Sequence, residues 1–207
     1  MSFYNWVRRE FGYSIRGDYV SALLLNMKLK VDLEKDLMDM LDGANVAVVG
    51  AGPSIVKVKE LNEDVIIAAD GATNYLVENF IVPDVVVTDL DGITSYPRSL
   101  YVVHAHGDNL QHHWKTDLMG RFIVTAQVSP FGGVKLYGGF TDGDRAYLIA
   151  KIFNARKIKL YGMDFDSDYI GRYSKPHYKA DVPMTYVKRK KLNLAKEIIH
   201  TLNRKDL

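Results

Sequence analysis

Two aspartates, Asp89 and Asp91, follow a short apolar run at residues 85–87 of the 207-residue chain. Pro83-Asp84 precedes the run and Gly92 follows it, a pattern typical of a buried parallel strand. Along an extended backbone, residues i and i+2 share a face and lie roughly 7 Å apart. Two carboxylates so placed can face one hydrated Mg²⁺, directly or through water. We therefore predict that both are metal ligands; the alternative is a pair of solvated loop aspartates.

Two glycine-rich turns are candidates for binding phosphate. Gly50-Ala51-Gly52-Pro53-Ser54 links an apolar run to a predicted helix, where glycine lets phosphate approach the backbone and the helix N-terminus favours its charge. It is not a P-loop, because no Gly-Lys-Ser/Thr sequence follows. In the second turn, residues 138–146, Arg145 could hold phosphate oxygens in a fork or pair with Asp142 or Asp144 at the surface.

Four histidines lie between residues 104 and 113, a density that suggests a metal site. His112 and His113 are adjacent, however, so their side chains would point apart on a helix. The chain contains no cysteine, which excludes disulfides and cysteine-ligated zinc. We predict no zinc site and expect His106 to lie near the ligand.

The elements that must position these residues follow a regular order from residue 46 onward. Short apolar strands alternating with helices predict an α/β fold with a doubly wound, mostly parallel sheet. In such sheets, ligands bind beyond the carboxyl ends of the strands. The predicted strands cover residues 46–49, 65–69, 85–87, 100–103, 122–124, 134–137 and 157–161, and the predicted helices between them cover 54–60, 73–80, a segment through 110–114, and 142–153.

Two flanking segments surround the predicted nucleotide-binding catalytic core at residues 43–165. Residues 1–42 are expected to form an N-terminal helical segment, with apolar residues at helical spacing over 18–27 and 32–41. Four aromatic side chains in this segment are expected to pack on the core, or else to cover a pocket: Tyr4, Trp6, Phe11 and Tyr13.

Residues 166–207 are predicted to form a short, polar C-terminal extension that ends in a helix over 192–202. The basic run at residues 188–191 precedes this helix and is expected to be a solvated face. A lid or pocket wall could be formed by Tyr169, Tyr173, His177 and Tyr178.

The composition is that of an ordinary globular protein, with 47% hydrophobic and 25% charged residues. The net charge of +2 is not the footprint of a nucleic-acid-binding domain. The N-terminus is unlike a signal peptide, and no apolar run reaches the length of a membrane span. We therefore expect a soluble, cytoplasmic protein that binds small molecules rather than nucleic acid or membranes. The sequence allows a homodimer but does not indicate the oligomeric state.

Aspartates follow several of the predicted strands, and the carboxyl ends of parallel strands meet at one edge of a sheet. So many like charges would repel one another unless a cation lay among them, and Mg²⁺ carrying a nucleoside triphosphate would supply it. Asp108 and Asp142 could instead cap the helices that follow them. The aspartates expected at this edge are Asp70, Asp89, Asp91, Asp108, Asp142, Asp144 and Asp164.

Five motifs, in this order, resemble those of the archaeal 6-hydroxymethyl-7,8-dihydropterin pyrophosphokinases, whose catalytic core is similar to that of thiamin pyrophosphokinase. They are Val-Gly-Ala-Gly-Pro-Ser at 49–54, Ala-Asp-Gly-Ala at 69–72, Pro-Asp-Val-Val-Val-Thr-Asp-Leu-Asp-Gly at 83–92, His-Gly-Asp-Asn at 106–109 and Gly-Gly-Phe-Thr-Asp-Gly-Asp-Arg-Ala at 138–146. The resemblance covers at least residues 44–165.

The resemblance implies a Mg²⁺-dependent transfer of diphosphate from ATP to 6-hydroxymethyl-7,8-dihydropterin, with release of AMP, in folate- or methanopterin-type cofactor synthesis. It implies that Asp89 and Asp91 hold the metal. A carboxylate could accept the proton of the attacking hydroxyl, and Asp108 and Asp142 are the candidates. The predicted nucleotide-binding residues are Gly50, Gly52, Pro53, Ser54, Asp70, Gly71, Asn109, Thr141, Asp144 and Arg145.

Three alternative functions remain open at this point. In a Rossmann-type enzyme, Gly50 and Gly52 would open a helix and Asp70 would bind ribose, but Ile55 occupies the position of the third glycine. Thiamin pyrophosphokinases carry a sizeable β-domain after the core, whereas only about forty residues follow Asp164 here. The third alternative is a non-catalytic nucleotide-binding or glycan-related module.

A pterin ring would need an apolar slot, for which the candidates are Phe131, Tyr137 and Phe140, all equally plausible as core residues.

Overall fold

Seven parallel strands form one sheet in the computed structural model of this chain, which describes residues 3–204 and only the backbone at Arg204. Residues 1–2 and 205–207, which belong to the predicted N-terminal segment and C-terminal extension, lie outside the described range. The strands are β1 Asn45–Val49, β2 Val65–Ala69, β3 Val85–Thr88, β4 Leu100–Ala105, β5 Phe122–Ala126, β6 Val134–Lys135 and β7 Lys157–Tyr161. All the predicted strands are therefore confirmed, the sixth being two residues shorter.

Helices cover both faces of this sheet, so the predicted doubly wound α/β architecture is confirmed. Side chains alternate along each strand because the pleat has a period of two. In β1, Ala47 and Val49 enter one core and Val46 and Val48 enter the other. The α-helices are α1 Phe3–Phe11, α2 Ile15–Asn26, α3 Glu34–Leu41, α4 Ala72–Glu78, α5 Asp142–Ile152 and α6 Tyr186–Arg204.

The strand order across the sheet is β6-β5-β4-β3-β2-β1-β7. Successive strands are added in one direction from β1 to β6, and β7 then pairs with the opposite edge of β1. Because every pair is parallel, the turns that follow β1, β2, β3 and β7 all emerge at the same end of the sheet. A reversal of strand order at this end is the place where α/β sheets bind ligands.

The apolar residues that indicated helix α2 lie on its exposed side, with Met27 74% exposed. Its buried side instead contains Asp18, Ser21, Ala22 and Leu25. The reason is that α2 packs on the polar segment after β4, which needs hydrogen-bonding partners. Helical spacing thus identified the helix but not its buried face.

Helical segments differ from the sequence prediction in three places. After β1, a 3₁₀ helix covers only Pro53–Lys57, and after β4 another covers Gly107–Leu118. Helix α6 begins at Tyr186, six residues before the predicted start, and so includes the basic run. The Thr185 hydroxyl accepts the N–H of Lys188 at 3.2 Å, which is the capping interaction that starts a helix.

The chain between β7 and α6 forms a small hairpin, β8 Tyr169–Ile170 with β9 Val182–Pro183, and a 3₁₀ turn at Arg172–Ser174. None of the helices within residues 3–204 combines the length and apolar character needed to cross a bilayer.

Candidate active site

A cavity of about 370 Å³ lies at the carboxyl end of the sheet. It is bounded by the turns that follow the strands and by the C-terminal extension. Nearly all the aspartates expected at this edge line the cavity: Asp70, Asp89, Asp91, Asp108, Asp142 and Asp164. Only Asp144 is directed elsewhere, since its side chain is fully buried.

Asp70, Asp89 and Asp91 converge on one point of this cavity. One carboxylate oxygen of each lies within 4.8 Å of the other two. Asp89 and Asp91 do not extend strand β3 as predicted, because β3 ends at Thr88 and Leu90 adopts a left-handed conformation with φ of 76°. The two side chains are therefore brought together by a strained turn rather than by one face of a strand.

Thr88 connects this turn to the neighbouring strand. Its hydroxyl donates to the Asp70 carboxylate at 2.6 Å and accepts the N–H of Leu90 at 2.8 Å. Asp70 itself has φ of 46°, so both turns that carry the acidic residues adopt the left-handed conformation. Such conformations persist only where surrounding contacts enforce them, and they concentrate at functional sites.

Buried polar side chains support the Asp89–Asp91 turn from behind. The Lys115 ammonium, on a residue only 8% exposed, donates to the carbonyl oxygens of Leu90 and Ile93 at 2.5 and 2.9 Å. The Asn109 amide donates to the carbonyls of Asp89 and His104 at 2.7 and 2.8 Å. These bonds hold the carboxylates in place before any ligand binds.

The carboxylates of the cluster shift one another's pKa. Burial, together with the charges of Asp89 and Asp91, raises the pKa of Asp70 to about 8. Burial and the Asp91 charge raise the pKa of Asp89 to about 6. Burial also acts to raise the pKa of Asp91, but the Lys175 charge and the hydrogen bonds with Asp89, Lys175 and Asp70 together outweigh it, so that this pKa is lowered. The cluster therefore carries more negative charge than its surroundings neutralise.

An unsatisfied oxygen of the Asp91 carboxylate indicates that the cluster fits a divalent cation. Its Oδ1 atom is buried and has no hydrogen-bonding partner within the described part of the chain. Buried carboxylate oxygens are normally satisfied by a donor or a cation. Three converging carboxylates, one of which has an unsatisfied oxygen, suit a hard cation such as Mg²⁺.

The two proposed proton acceptors occupy different environments. Asp142 is the first residue of α5, and burial together with the charges of Asp89 and Asp70 raises its pKa well above the ordinary value. The side chain of Asp108 is 76% exposed at the rim of the cavity. Neither caps its helix, because the N-caps are Thr141 and His106. The capping alternative is therefore wrong for both.

Among the predicted nucleotide-binding residues, three are directed away from the cavity into the protein. The Ser54 hydroxyl donates to Asp164 at 2.6 Å. The Asp144 carboxylate accepts the N–H groups of Phe140 and Thr141, each at 2.7 Å. The third is Asn109, described above. The remaining predicted residues line the cavity: Gly50, Gly52, Pro53, Asp70, Gly71, Thr141 and Arg145.

The first glycine-rich turn packs closely on the turn that follows β7. A Cβ on Gly50 would lie 2.8 Å from the backbone carbonyl oxygen of Gly162, so glycine is required by packing alone. The amides of Gly50 and Gly52 donate to carbonyls of Tyr161 and Gly162, each at 2.8 Å. The Ser54 amide likewise donates to Asp164 at 2.7 Å. These amides are committed within the protein, so the phosphate contact expected of this turn stays a prediction.

Arg145 is almost fully buried, and its Nη1 donates to the carbonyl of Gly138 at 2.7 Å. It therefore contributes positive charge to the cavity wall from a fixed position, rather than forming the surface ion pair considered from the sequence.

The N-terminal segment forms one wall of the cavity. Tyr13 lines it and meets the ring of His106 edge-on, with 4.5 Å between the ring centroids. His106, which was expected near the ligand, also lines the cavity, and its Nδ1 lies 2.8 Å from Asp18. Among the pterin-slot candidates, only Phe140 lines the cavity; it packs on Phe11 with centroids 5.0 Å apart.

Three lysines of the C-terminal extension line the cavity and were not predicted to be functional: Lys175, Lys188 and Lys191. The interpretation of residues 188–191 as a wholly solvated face was therefore wrong. Placing the basic run on a helix would have shown that Lys188 and Lys191 share one face, because residues three apart lie on the same side, but not which way that face is directed. No local sequence signal indicated Lys175.

Residues 22–169 match the family described as 6-hydroxymethylpterin diphosphokinase MptE-like. A protein of Methanocaldococcus jannaschii is 38% identical over 98% of this chain and 94% of its own length. A protein of Pyrococcus furiosus is 39% identical over 97% of this chain and 91% of its own length.

A third relative, from Methanothermobacter thermautotrophicus, is 38% identical over 99% of this chain and 94% of its own length. All three are named 6-hydroxymethyl-7,8-dihydropterin pyrophosphokinase. The resemblance found from the five motifs is thus confirmed over nearly the whole chain. This chain belongs to the MptE-like 6-hydroxymethylpterin diphosphokinase family.

Proposed function

We propose that this chain catalyses the Mg²⁺-dependent transfer of diphosphate from ATP to 6-hydroxymethyl-7,8-dihydropterin, with release of AMP. The names of the three archaeal relatives support the pterin substrate. The observation that carries the proposal is the convergence of Asp70, Asp89 and Asp91 beside the unsatisfied Asp91 oxygen. A triphosphate and a divalent cation together would satisfy this arrangement.

Asp89 and Asp91 would hold the metal, with Asp70 as the third carboxylate of the cluster. When bound, Mg²⁺ would neutralise charge on the phosphate oxygens of ATP. The chain itself fixes the positions of the three carboxylates through Thr88 and Lys115. Such preorganisation matters because phosphoryl transfer depends mainly on positioning and charge neutralisation.

Asp142 is the better of the two candidates for accepting the proton of the pterin hydroxyl. It lines the cavity close to the acidic cluster, whereas the side chain of Asp108 is exposed at the rim. As the proton leaves, the hydroxyl oxygen bonds to the β-phosphorus of ATP. The bond from that phosphorus to the α,β-bridging oxygen breaks, and AMP departs with the bridging oxygen.

The pterin ring would occupy the end of the cavity near the N-terminal segment. Tyr13 and Phe140 provide aromatic surface there, and Gln127 provides a polar side chain that is only 7% exposed. A flat heterocycle needs this combination of apolar walls and a few fixed polar groups.

The alternative functions receive less support. The three archaeal relatives are named for the pterin reaction rather than for one on thiamin. A Rossmann-type cofactor site needs free amides at the first glycine turn, whereas those of Gly50 and Gly52 are bonded to the β7 turn.

The proposal is tested by incubating the purified protein with ATP, Mg²⁺ and 6-hydroxymethyl-7,8-dihydropterin, followed by separation and mass analysis of the products. We expect AMP and the pterin diphosphate in equal amounts, and neither product when Mg²⁺ is removed with EDTA. Thiamin serves as the comparison substrate and should give no AMP. Formation of ADP and a pterin monophosphate, or preference for thiamin, would contradict the proposal.

A further inference from the structure

We propose that Lys188 and Lys191, in the first two turns of α6, bind the β- and γ-phosphates of the nucleotide. This inference rests on the proposed function. It assigns to the C-terminal extension a direct part in binding the group that is transferred.

Helical geometry places the two lysines together. Residues at i and i+3 lie on the same side of a helix, and both side chains line the cavity. The two basic residues between them are directed elsewhere. Arg189 pairs with Asp168 at 3.0 Å, and Lys190 pairs with Glu10. The basic run is thus divided into two cavity-facing cations and two cations that are paired away from the cavity.

Neither cavity-facing ammonium has a hydrogen-bonding or ion-pair partner among residues 3–204. Lys188 is only partly exposed, and burial together with the charges of Lys175 and Lys191 lowers its pKa. Lys191 lies over the ring of Tyr13, with 5.3 Å from its Nζ to the ring centroid. The charges of Asp89 and Asp142 act on Lys188 in the opposite sense but do not outweigh burial and the neighbouring lysines, so an anion bound in this cavity would stabilise the charged form of Lys188.

Lys175 provides the contrast within the same cavity. It already pairs with the Asp91 carboxylate and so is not free to bind phosphate in the same way. The amides of the first glycine turn are also committed, as shown above. A nucleoside triphosphate remains anionic after binding one divalent cation, and Lys188 and Lys191, beside the fixed charge of Arg145, are positioned to meet that charge.

The test compares the binding of nucleotides that differ in phosphate number. Affinities for α,β-methylene-ATP, which cannot be cleaved at the relevant bond, and for AMP are measured by calorimetry with Mg²⁺. The variants are Lys188→Met and Lys191→Met, each of which keeps an unbranched side chain. Lys190→Met is the matched control, because it makes the same change on the same helix away from the cavity.

We expect each cavity-facing variant to bind α,β-methylene-ATP about tenfold more weakly, the effect of losing one charge-assisted hydrogen bond. AMP binding should be unchanged, and Lys190→Met should behave as the wild type. Lys188→Arg should recover part of the affinity, since it restores the charge. Circular dichroism checks that each variant is folded.

Unchanged affinity for α,β-methylene-ATP in both variants would overturn the inference. An equal loss of AMP affinity would also overturn it, because the lysines would then support the pocket rather than bind the terminal phosphates. The proposed function fails separately, if the wild-type protein produces no pterin diphosphate. An active wild type with unaffected variants would disprove only the role of the lysines.

Discussion

The ammonium of Lys175 forms an ion pair with the carboxylate of Asp91, so the C-terminal extension places a cation within the acidic cluster of the core. Burial acts against the charge of Lys175, but the carboxylates of Asp89, Asp70 and Asp91 outweigh it and raise its pKa. Lys175 thus partly neutralises the site in the absence of a metal. A divalent cation binding at the free Oδ1 of Asp91 would be repelled by this ammonium.

Replacing Lys175 with methionine should therefore strengthen metal binding in the absence of nucleotide. Removing the competing cation should lower the dissociation constant for Mn²⁺ about three- to tenfold. Electron paramagnetic resonance of free Mn²⁺ measures this constant, and Lys190→Met serves as the control. Equal or weaker Mn²⁺ binding by Lys175→Met would show that the lysine does not compete with the metal.

Replacing Asp89 or Asp91 with asparagine should reduce turnover by about 10³-fold or more, because a metal ligand is lost. The Asp89→Asn variant should nevertheless be at least as stable as the wild type without metal, since it removes like-charge repulsion, whereas Asp91→Asn also loses the ion pair with Lys175. Product formation and thermal melting measure the two effects. Asp117→Asn is a suitable control because that side chain is 70% exposed. Wild-type turnover in either variant would refute the assignment of metal ligands.

His104 should make an unfavourable contribution to stability in mildly acidic solution, opposite in sign to that of Asp70 and Asp89, whose pKa values are raised. Its side chain is buried, and burial, followed by the charges of Arg145 and His106, holds its pKa well below the ordinary value. Below about pH 6.5 the unfolded chain binds a proton at this position and the folded chain does not, so stability is lost as the pH falls.

Lowering the pH from 7 to 5.5 should therefore cost about 1 kcal/mol through this residue. The free energy of unfolding is measured with urea at both pH values, and its change should be more favourable by that amount in His104→Asn than in the wild type. His200→Asn, at an exposed position, should follow the wild type. An identical change in His104→Asn and the wild type would exclude a contribution from His104.

Replacing Asp18 with alanine should destabilise the protein by about 3 kcal/mol. This buried carboxylate accepts the N–H of Gly107 at 3.0 Å, lies 2.8 Å from Nδ1 of His106 and pairs with Arg8. Its removal would leave a buried guanidinium without a counter-charge. Urea unfolding measures the loss, and Asp117→Ala is the exposed control. A loss below about 1 kcal/mol would mean that α2 is held mainly by apolar packing.

The strands of the sheet could be predicted because β-branched, apolar runs of three to five residues are buried on both faces of a parallel sheet. Val85–Val87 is such a run, and its strand was recognised without reference to any partner. The conformation of Pro53–Lys57 was not predictable in the same way. Whether such a segment forms an α- or a 3₁₀ helix depends on its contacts, here those with the turn after β7.

The candidate site was predicted where it follows from connectivity. Asp70 and Asp89 follow two strands that are consecutive in the chain. These strands pair in parallel, so the two aspartates lie at the same edge of the sheet. Ser54 and Asn109 show the limit of this reasoning. Their residue types suit a ligand contact equally well, but the structure bonds them to Asp164 and to backbone carbonyls of the site.

The amino-acid sequence by itself determined the α/β class, the strands that end in aspartates, and the family. These depend on local periodicity and on motifs in a fixed order. The tertiary structure decided which cations face those acids. Lys175 and Lys188 lie far along the chain from Asp91, and only the packing of the C-terminal extension across the cavity brings them near it. Long-range packing leaves no periodic signal in a sequence, whereas a buried strand does.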